Sequence, residues 1–393
     1  MNITLKEVTS RSDLKKFIKF PFTLYKENKY WVPPLIFDEL KTLSKDKNPA
    51  FDFCEAKYWL AYKDDTIVGR IAGIINHRYN EKWNQLSARF GWIDFIDDEE
   101  VSKSLLDQVI GWAKEKGMKE IHGPLGFSDF DGEGMLTEGF NELSTFGSIY
   151  NHAYYPNHLV KLGFEKDADW IEFSVKFDPD AVGPEKVSRI AEAVAKRNKL
   201  YILKVKKAKE ILPYAREIFY LINTAYKDLF GFVELTDKQI DMYVKAYFGF
   251  IKPDYVPVIL DDKNKVAAFG ITMPSLSLAV QKSKGKLFPF GFIHILRAMK
   301  NNPDVDLYLT AVRPELQNKG VNAMLMNEMH RVYVKNKIQR VETNRELEEN
   351  SKIQAQWRFF ENRLHKRRRC YKKSIELEEM KSSLLGHFGN FGQ

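Results

Sequence analysis

The chain has 393 residues, 44% of them apolar and 13% aromatic, which fills two buried cores and is too long for one ordinary domain. Two cysteines, Cys54 and Cys370, exclude a disulfide framework or a cysteine metal site and point to a reducing compartment. The net charge is +8, but seven Lys or Arg and no acid fall between 363 and 373, leaving +1 for the rest, which argues against a broad nucleic-acid footprint.

The first residues, MNITLKEVTS, carry no apolar signal core, and no run approaches the ~18 apolar residues that span a bilayer. A cytoplasmic location is expected. Residues 11–30 have helical spacing with a break expected at Pro21. Residues 58–63 and 66–75 read as a hairpin turning at Asp64-Asp65, followed by a strand at 88–95. Acidic residues 97–100 favour a helix start, and 101–116 has helical periodicity up to Gly117. A short strand at 119–123 precedes a glycine- and proline-rich stretch, 123–139, expected to be a long functional loop. A helix at 155–162 and a strand at 170–177 follow.

Residues 178–184 (DPDAVGP) form the best linker, so domains are expected at 1–178 and 185–393 with a linker at 179–184. Beyond it the order recurs: helix 184–198, strand 200–206, helices 208–230 and 236–250, and a hairpin of 256–260 with 266–272 around Asp261-Asp262. Strand 307–312, helix 320–336, strand 339–343, helix 350–365 and strand 368–375 complete the chain. Two copies of one α/β (α+β) unit is the economical reading.

Residues 307–325 (LYLTAVRPELQNKGVNAML) carry the functional argument. An apolar strand ends at Val312, the chain turns, and Gln317, Asn318, Lys319, Gly320, Val321 and Asn322 lead into a helix. A helix N-terminus offers exposed N–H groups and partial positive charge, which suits a diphosphate. Gly320 lets backbone approach closely and Lys319 adds charge.

This segment resembles the acyl-CoA loop of the GNAT acyltransferase superfamily, whose pattern is Arg or Gln, two residues, Gly, one residue, Gly or Ala. Gln317 and Gly320 match, while Asn322 replaces the last small residue. Val312, Pro314 and Glu315 are also typical. The resemblance covers 255–375 well and 55–177 as a weaker copy. In that first copy Asp97, Asp98, Glu99 and Glu100 stand at the corresponding helix start and would repel a diphosphate. The layout is similar to the tandem-domain group related to bacterial ceramide synthase, with RFGWIDF and HGPLGFSDFDGEGML in its first copy. The resemblance implies two tandem GNAT-like domains, each a mixed, mostly antiparallel twisted sheet flanked by helices. It also implies acyl-CoA as co-substrate, an amine as acceptor, and no CoA site in the first domain. A sphingoid base is the acceptor implied for that group. Acetyl transfer to a small amine or protein lysine, or CoA binding without catalysis, stay open.

Acyl transfer to an amine needs a base, because deprotonating an alkylammonium of pKa ~10.4 at pH 7 costs roughly 4–5 kcal/mol. Glu342, on the strand after the loop helix, is the expected base, with Asn344 on the same face orienting the acceptor. Amides at Ala311 and Val312 would polarise the thioester carbonyl, and Asn350 would touch the cofactor arm or cap a helix. Tyr371 is a candidate acid. In the first copy Asp94, His122, Ser128, Asp129, Asp131 and Glu133 cluster around the loop, and His122 and Asp129 are the candidates to reach the acceptor. The eight histidines show no ligand spacing, so no metal is expected.

Residues 276–302 combine Phe288, Phe290, Phe292 and Leu296 with flanking lysines. They suit a surface-lying membrane segment, a lid, or a helix packed on its own core. With the basic run at 363–373, the stretch 282–300 makes peripheral contact with the inner face of the membrane an expectation. No nucleic-acid partner is expected.

Overall fold

The computed structural model describes residues 2–180, 185–247, 249 and 251–375. It divides into two compact units, one of 1–170 with 366–393, the other of 171–365.

Unit 1 contains β1 (Ile3–Glu7), α1 (Arg11–Leu24), α2 (Ile36–Thr42), β2 (Cys54–Lys63), β3 (Thr66–Asn76), α3 (His77–Trp83), β4 (Ser87–Phe95), α4 (Glu99–Glu115), β5 (Glu120–Gly123), β6 (Met135–Glu138), α5 (Tyr155–Lys161) and the start of β7 (Glu165–Lys176). Its sheet runs β1-β2-β3-β4-β5, antiparallel except for the β4–β5 pair. Both faces are covered, which explains the nearly unbroken apolar runs of β2 and β3. Trp59 and Ala61 face the core under α4, whereas Tyr58 and Leu60 face the core under α1, the two-residue alternation of a strand.

The break expected at Pro21 does not occur, and α1 runs through it. A helical proline leaves the carbonyl four residues earlier without its donor. Here Arg70 Nη1 donates to the Phe17 carbonyl at 3.0 Å, while its Nε donates to Asp94 at 2.7 Å.

Unit 2 contains the rest of β7, α6 (Glu185–Asn198), β8 (Tyr201–Ile202), α7 (Ala215–Ala225), α8 (Asp237–Tyr247), β9 (Val258–Leu260), β10 (Val266–Pro274), α9 (Ser277–Ser283), α10 (Gly291–Lys300), β11 (Asp304–Val312), α11 (Val321–Lys335), β12 (Arg340–Glu342), β13 (Glu346–Leu347), α12 (Ser351–Gln354) and the first residues of β14 (Asn362–Ser374). Its sheet runs β7-β12-β11-β10-β9-β8, antiparallel except for β11 and β12. The core lies under α6 and α11 and includes Val194, Val305, Val321, Met324, Leu325 and Val341. Each unit is thus a mixed, mostly antiparallel sheet with helices on it, the fold class expected.

Composition set the divide at 178, and residues 181–184 of the expected linker lie outside the described residues. Pairing draws it differently. Ser174–Lys176 pairs with β12 in unit 2, and Tyr371–Ser374 pairs with β5 in unit 1. A Pro/Gly-rich stretch marks a turn and says nothing about which sheet the neighbouring strand joins.

Two further expectations are corrected. Residues 350–365 are not one helix: after α12 a 3-10 turn spans Ala355–Phe359 and β14 begins at 362. Trp357 is drawn inward, donating to Glu346 at 2.8 Å. Asn362 then donates its amide to the carbonyls of Trp357 and Phe360, which ends the turn. Much of the basic run, expected at an anionic surface, is engaged inside unit 1 instead. Lys366 and Arg368 are buried, Arg369 pairs with Asp169 at 2.8 Å, Arg367 with Glu138 at 3.1 Å, and Lys372 with Asp167 at 3.5 Å. A strand with interior acids beside it has the same composition as a polyanion site, and only the pairing tells them apart. Among the described residues no helix is long and apolar enough to cross a membrane.

Candidate active site

In unit 2, β11 ends at Val312 and the chain turns. Arg313 donates to Asp261 at 2.8 Å, tying the turn to the β9–β10 hairpin. Gln317 turns its amide back onto the Val312 carbonyl at 3.2 Å. Asn318 and Gly320 adopt left-handed conformations, with φ of 59° and 82°. At Gly320 a side chain would be strained by that φ, and its Cβ would stand 3.1 Å from Val194 of α6. The glycine therefore serves the turn and the α6 packing, a different reason from the ligand approach inferred from sequence.

α11 then starts with no side-chain cap. The Ala323 amide donates to the Gly320 carbonyl at 2.9 Å, which leaves the amides of Val321 and Asn322 for another acceptor. α4 of unit 1 differs. There Asp98 caps the Glu100 amide at 3.0 Å and pairs with Lys63 at 2.9 Å, so a carboxylate already occupies that helix start.

The α11 start opens onto a cavity of about 460 Å³, within the usual range for ligand sites. Of the residues expected to hold the cofactor, Ala311, Val312, Gln317, Asn318, Gly320, Val321, Asn322 and Asn350 line it; Lys319 does not and is exposed. Asn350 also caps α12, accepting from the Ile353 amide at 3.4 Å. Deeper walls come from Phe177, Leu307, Thr310, Met329, Val341 and Trp357. The cavity therefore reaches from the helix start to the strands. Tyr226 lines it too and donates to the Thr310 carbonyl at 2.8 Å. Burial pushes its phenol up to about 12.

β11 and β12 pair in register from Asp304/Arg340 to Asp306/Glu342 and then part. Beyond that point the chain stays with β7, which β12 already pairs: the Thr343 amide donates to the Phe173 carbonyl at 2.9 Å, and the Phe173 amide to the Thr343 hydroxyl at 2.9 Å. Asn344 reaches back across the gap, donating to the Tyr308 carbonyl at 2.7 Å.

Val341 lines the cavity, so strand alternation turns Glu342 to the other face of the sheet. There Glu342 is buried, with His365 Nε2 at 3.5 Å from its Oε1. Buried Glu172 joins them, and one ligand atom from each of the three lies within 4.8 Å of the others. Asp306, the register partner of Glu342, is buried as well. Tyr308 donates to it at 3.4 Å, and burial together with the Asp306 and Glu342 charges holds the Tyr308 phenol well above its usual range. Sequence reading missed Glu172, Asp306, Tyr308 and His365. The Asp306–Tyr308 spacing gave a hint of a shared strand face, whereas nothing local joins residues 172 and 365 to 342.

Glu346 was missed as well. It is buried, and Trp357, a wall of the cavity, donates to one of its oxygens. Burial pushes its carboxyl up to about 7.

The remaining expected residues lie elsewhere. Tyr371 is buried in the core of unit 1 and is not among the cavity's lining; its place on a strand pairing with Gly123 uses it for packing. His122 is buried in unit 1, its Nδ1 3.4 Å from Asp167 and its ring 5.3 Å from that of Tyr79. Burial lowers its pKa. Asp129 is half-buried in the same unit. In the 123–139 stretch it is Asp131 that closes the turn, accepting from the Phe127 and Ser128 amides. His122, Asp167 and Cys370 also lie within 4.8 Å of one another. Lys372 already pairs with Asp167 at 3.5 Å, and burial pushes the Cys370 thiol well above its usual range.

The chain is similar over 95% of its length to solved structures of one fold. A tandem GNAT protein from the clavulanic acid biosynthesis pathway superposes with a TM-score of 0.54 at 11% identity, over 95% of this chain and 99% of that one. A GCN5-related N-acetyltransferase from Sphaerobacter thermophilus gives 0.51 at 10% identity, over 95% and 96%. The chain has the tandem GNAT fold. Among curated proteins it is 27% identical to Protein YghO of Escherichia coli (strain K12), over 93% of this chain and 94% of that protein. It is 26% identical to a bacterial ceramide synthase of Caulobacter vibrioides, over 76% and 77%. No family model matches the chain.

Proposed function

We propose that unit 2 is an acyl-CoA-dependent N-acyltransferase. The observation that carries this reading is the uncapped start of α11, which opens onto a cavity running to the place where β11 and β12 part. In this reading the amides of Val321 and Asn322 and the turn at Asn318 and Gly320 hold the diphosphate. The pantetheine arm follows the cavity toward the gap, with the Val312 amide near the thioester. The acceptor approaches from the other face, where Glu172, Asp306 and Glu342 favour an ammonium.

Glu342 takes the ammonium proton, and the neutral amine attacks the thioester carbonyl. The tetrahedral oxyanion then collapses with cleavage of the C–S bond. The nitrogen, cationic after the attack, gives up its surplus proton as the amide forms, and the CoA thiolate takes up one proton to leave as free thiol, so the one net proton released is that first taken by Glu342. Tyr226, which lines the cavity, is better placed than Tyr371 to supply that proton. Unit 1, whose α4 start is filled by Asp98, acts in this reading without a CoA of its own.

The similarity to a ceramide synthase over three quarters of the chain supports a long-chain amine, such as a sphingoid base, as acceptor. Thiol release should be followed with acetyl-CoA and palmitoyl-CoA, each offered a sphingoid base and a panel of small amines. Turnover above hydrolysis with palmitoyl-CoA and the sphingoid base supports the full reading. Turnover confined to acetyl-CoA and small amines removes the lipid acceptor. No turnover with any pair removes the enzyme and leaves a CoA-binding module.

A further inference from the structure

Between β10 and β11 the chain leaves the sheet as α9, a short loop and α10. Residues 276–302 contain no Asp or Glu. Five cations, Lys282, Lys284, Lys286, Arg297 and Lys300, are all exposed. None of the five has an ion pair among the described residues. Beside them stand Phe288 and Phe290, 78% and 71% exposed, Leu296 at 61% and Leu278 at 56%. In α10 only Ile295 is buried. A helix packed on its own core hides its apolar stripe, and this one shows it.

Three occupants fit an exposed apolar face, and the charges separate them. None of these side chains lines the cavity of unit 2, so the segment is not a lid folded over it. A second copy docked through the same face would set five cations against five. An anionic bilayer answers both features, since its headgroups balance the cations while the aromatic rings enter the acyl boundary.

We propose that the α9–α10 segment seats the protein on an anionic lipid surface, with Phe288, Phe290 and Leu296 inserted and the five cations over the lipid phosphates. This reading is independent of acyl transfer, because it concerns a face outside the cavity.

The test is co-sedimentation of the full chain with phosphatidylcholine vesicles, with and without phosphatidylglycerol. Wild type, Phe288→Ser/Phe290→Ser and Lys282→Glu/Lys284→Glu/Lys286→Glu are compared, and circular dichroism reports folding. The expected result is partition onto phosphatidylglycerol vesicles only, lowered about tenfold or more by either variant and weakened by salt. Absence of wild-type binding, or equal binding by the folded variants, overturns the proposal. So does a wild-type dimer in sedimentation velocity that the Phe288→Ser/Phe290→Ser variant abolishes, which would make a second copy the occupant. Lipid binding that fails while thiol release persists leaves the acyl-transfer reading intact.

Discussion

Asn344 donates its side-chain amide to the backbone carbonyl of Tyr308 at 2.7 Å, just past the last paired residues of β11 and β12. A side chain thus spans the gap where a continuing parallel ladder would place backbone. Asn344→Ala removes that bridge without emptying a core position, since the residue is half-buried. The expected loss is about 1 kcal/mol of stability, with a larger effect on turnover, about 10–100-fold, because a reacting group is displaced. Comparing kcat with thermal stability checks it. A fall in stability with unchanged kcat would make the bridge purely structural.

Glu342→Gln keeps the shape and removes the proton acceptor. Turnover should fall about 10²–10⁴-fold while CoA affinity stays the same, because Glu342 faces away from the cavity that holds the cofactor in this account. Single-turnover kinetics with a parallel CoA titration separates the two effects. Unchanged turnover would remove Glu342 from the reaction.

Glu346 should make stability depend on pH. Its buried carboxyl is raised from 4.5 to about 7, so the folded state prefers the protonated form. Its favourable contribution is complete below pH ~4.5 and is lost as pH rises through about 7, a total of roughly 3 kcal/mol. Glu346→Gln does not titrate. Relative to wild type it should gain stability across that window, read from denaturant unfolding at several pH values. A difference that stays flat with pH would contradict the burial of this carboxyl.

Asp94 anchors Arg70 in the interior of unit 1, with both side chains under a tenth exposed. Asp94→Asn leaves the guanidinium buried without its counter-charge and should cost about 3–5 kcal/mol. Chemical denaturation measures it. A cost under 1 kcal/mol would mean that the pair is solvated.

Much of this molecule was legible in its sequence, and for identifiable reasons. Both hairpins turn at acidic pairs that the backbone uses: Asp64 takes a left-handed φ of 53°, and Asp261 accepts from the Lys263 and Lys265 amides. The long helices α4 and α11 announce themselves by periodicity and by the residues at their ends. Seven of the nine residues picked for the cofactor line one cavity because a strand, a turn and a helix start adjacent in sequence must be adjacent in space, and Asn350 joins them from the cap of α12. What stayed hidden depends on pairing between distant strands. No local pattern brings Glu172 and His365 to Glu342, or buries Arg368 in a run that reads as a polybasic surface. Pro21 misled for a related reason, since the donor that completes the Phe17 carbonyl comes from Arg70, 53 residues away.

In the proposed reading the first turn of α11 holds a diphosphate. Asn322, exposed in that turn, separates ligand binding from helix stability. An aspartate there favours the helix, by about 0.3–1 kcal/mol, and repels a diphosphate. Isothermal titration of coenzyme A into wild type and Asn322→Asp, beside their melting curves, reads both. The expected result is an unchanged or higher Tm with CoA affinity weakened about tenfold or more. Equal affinity in the two proteins, or no CoA binding by wild type, would contradict it.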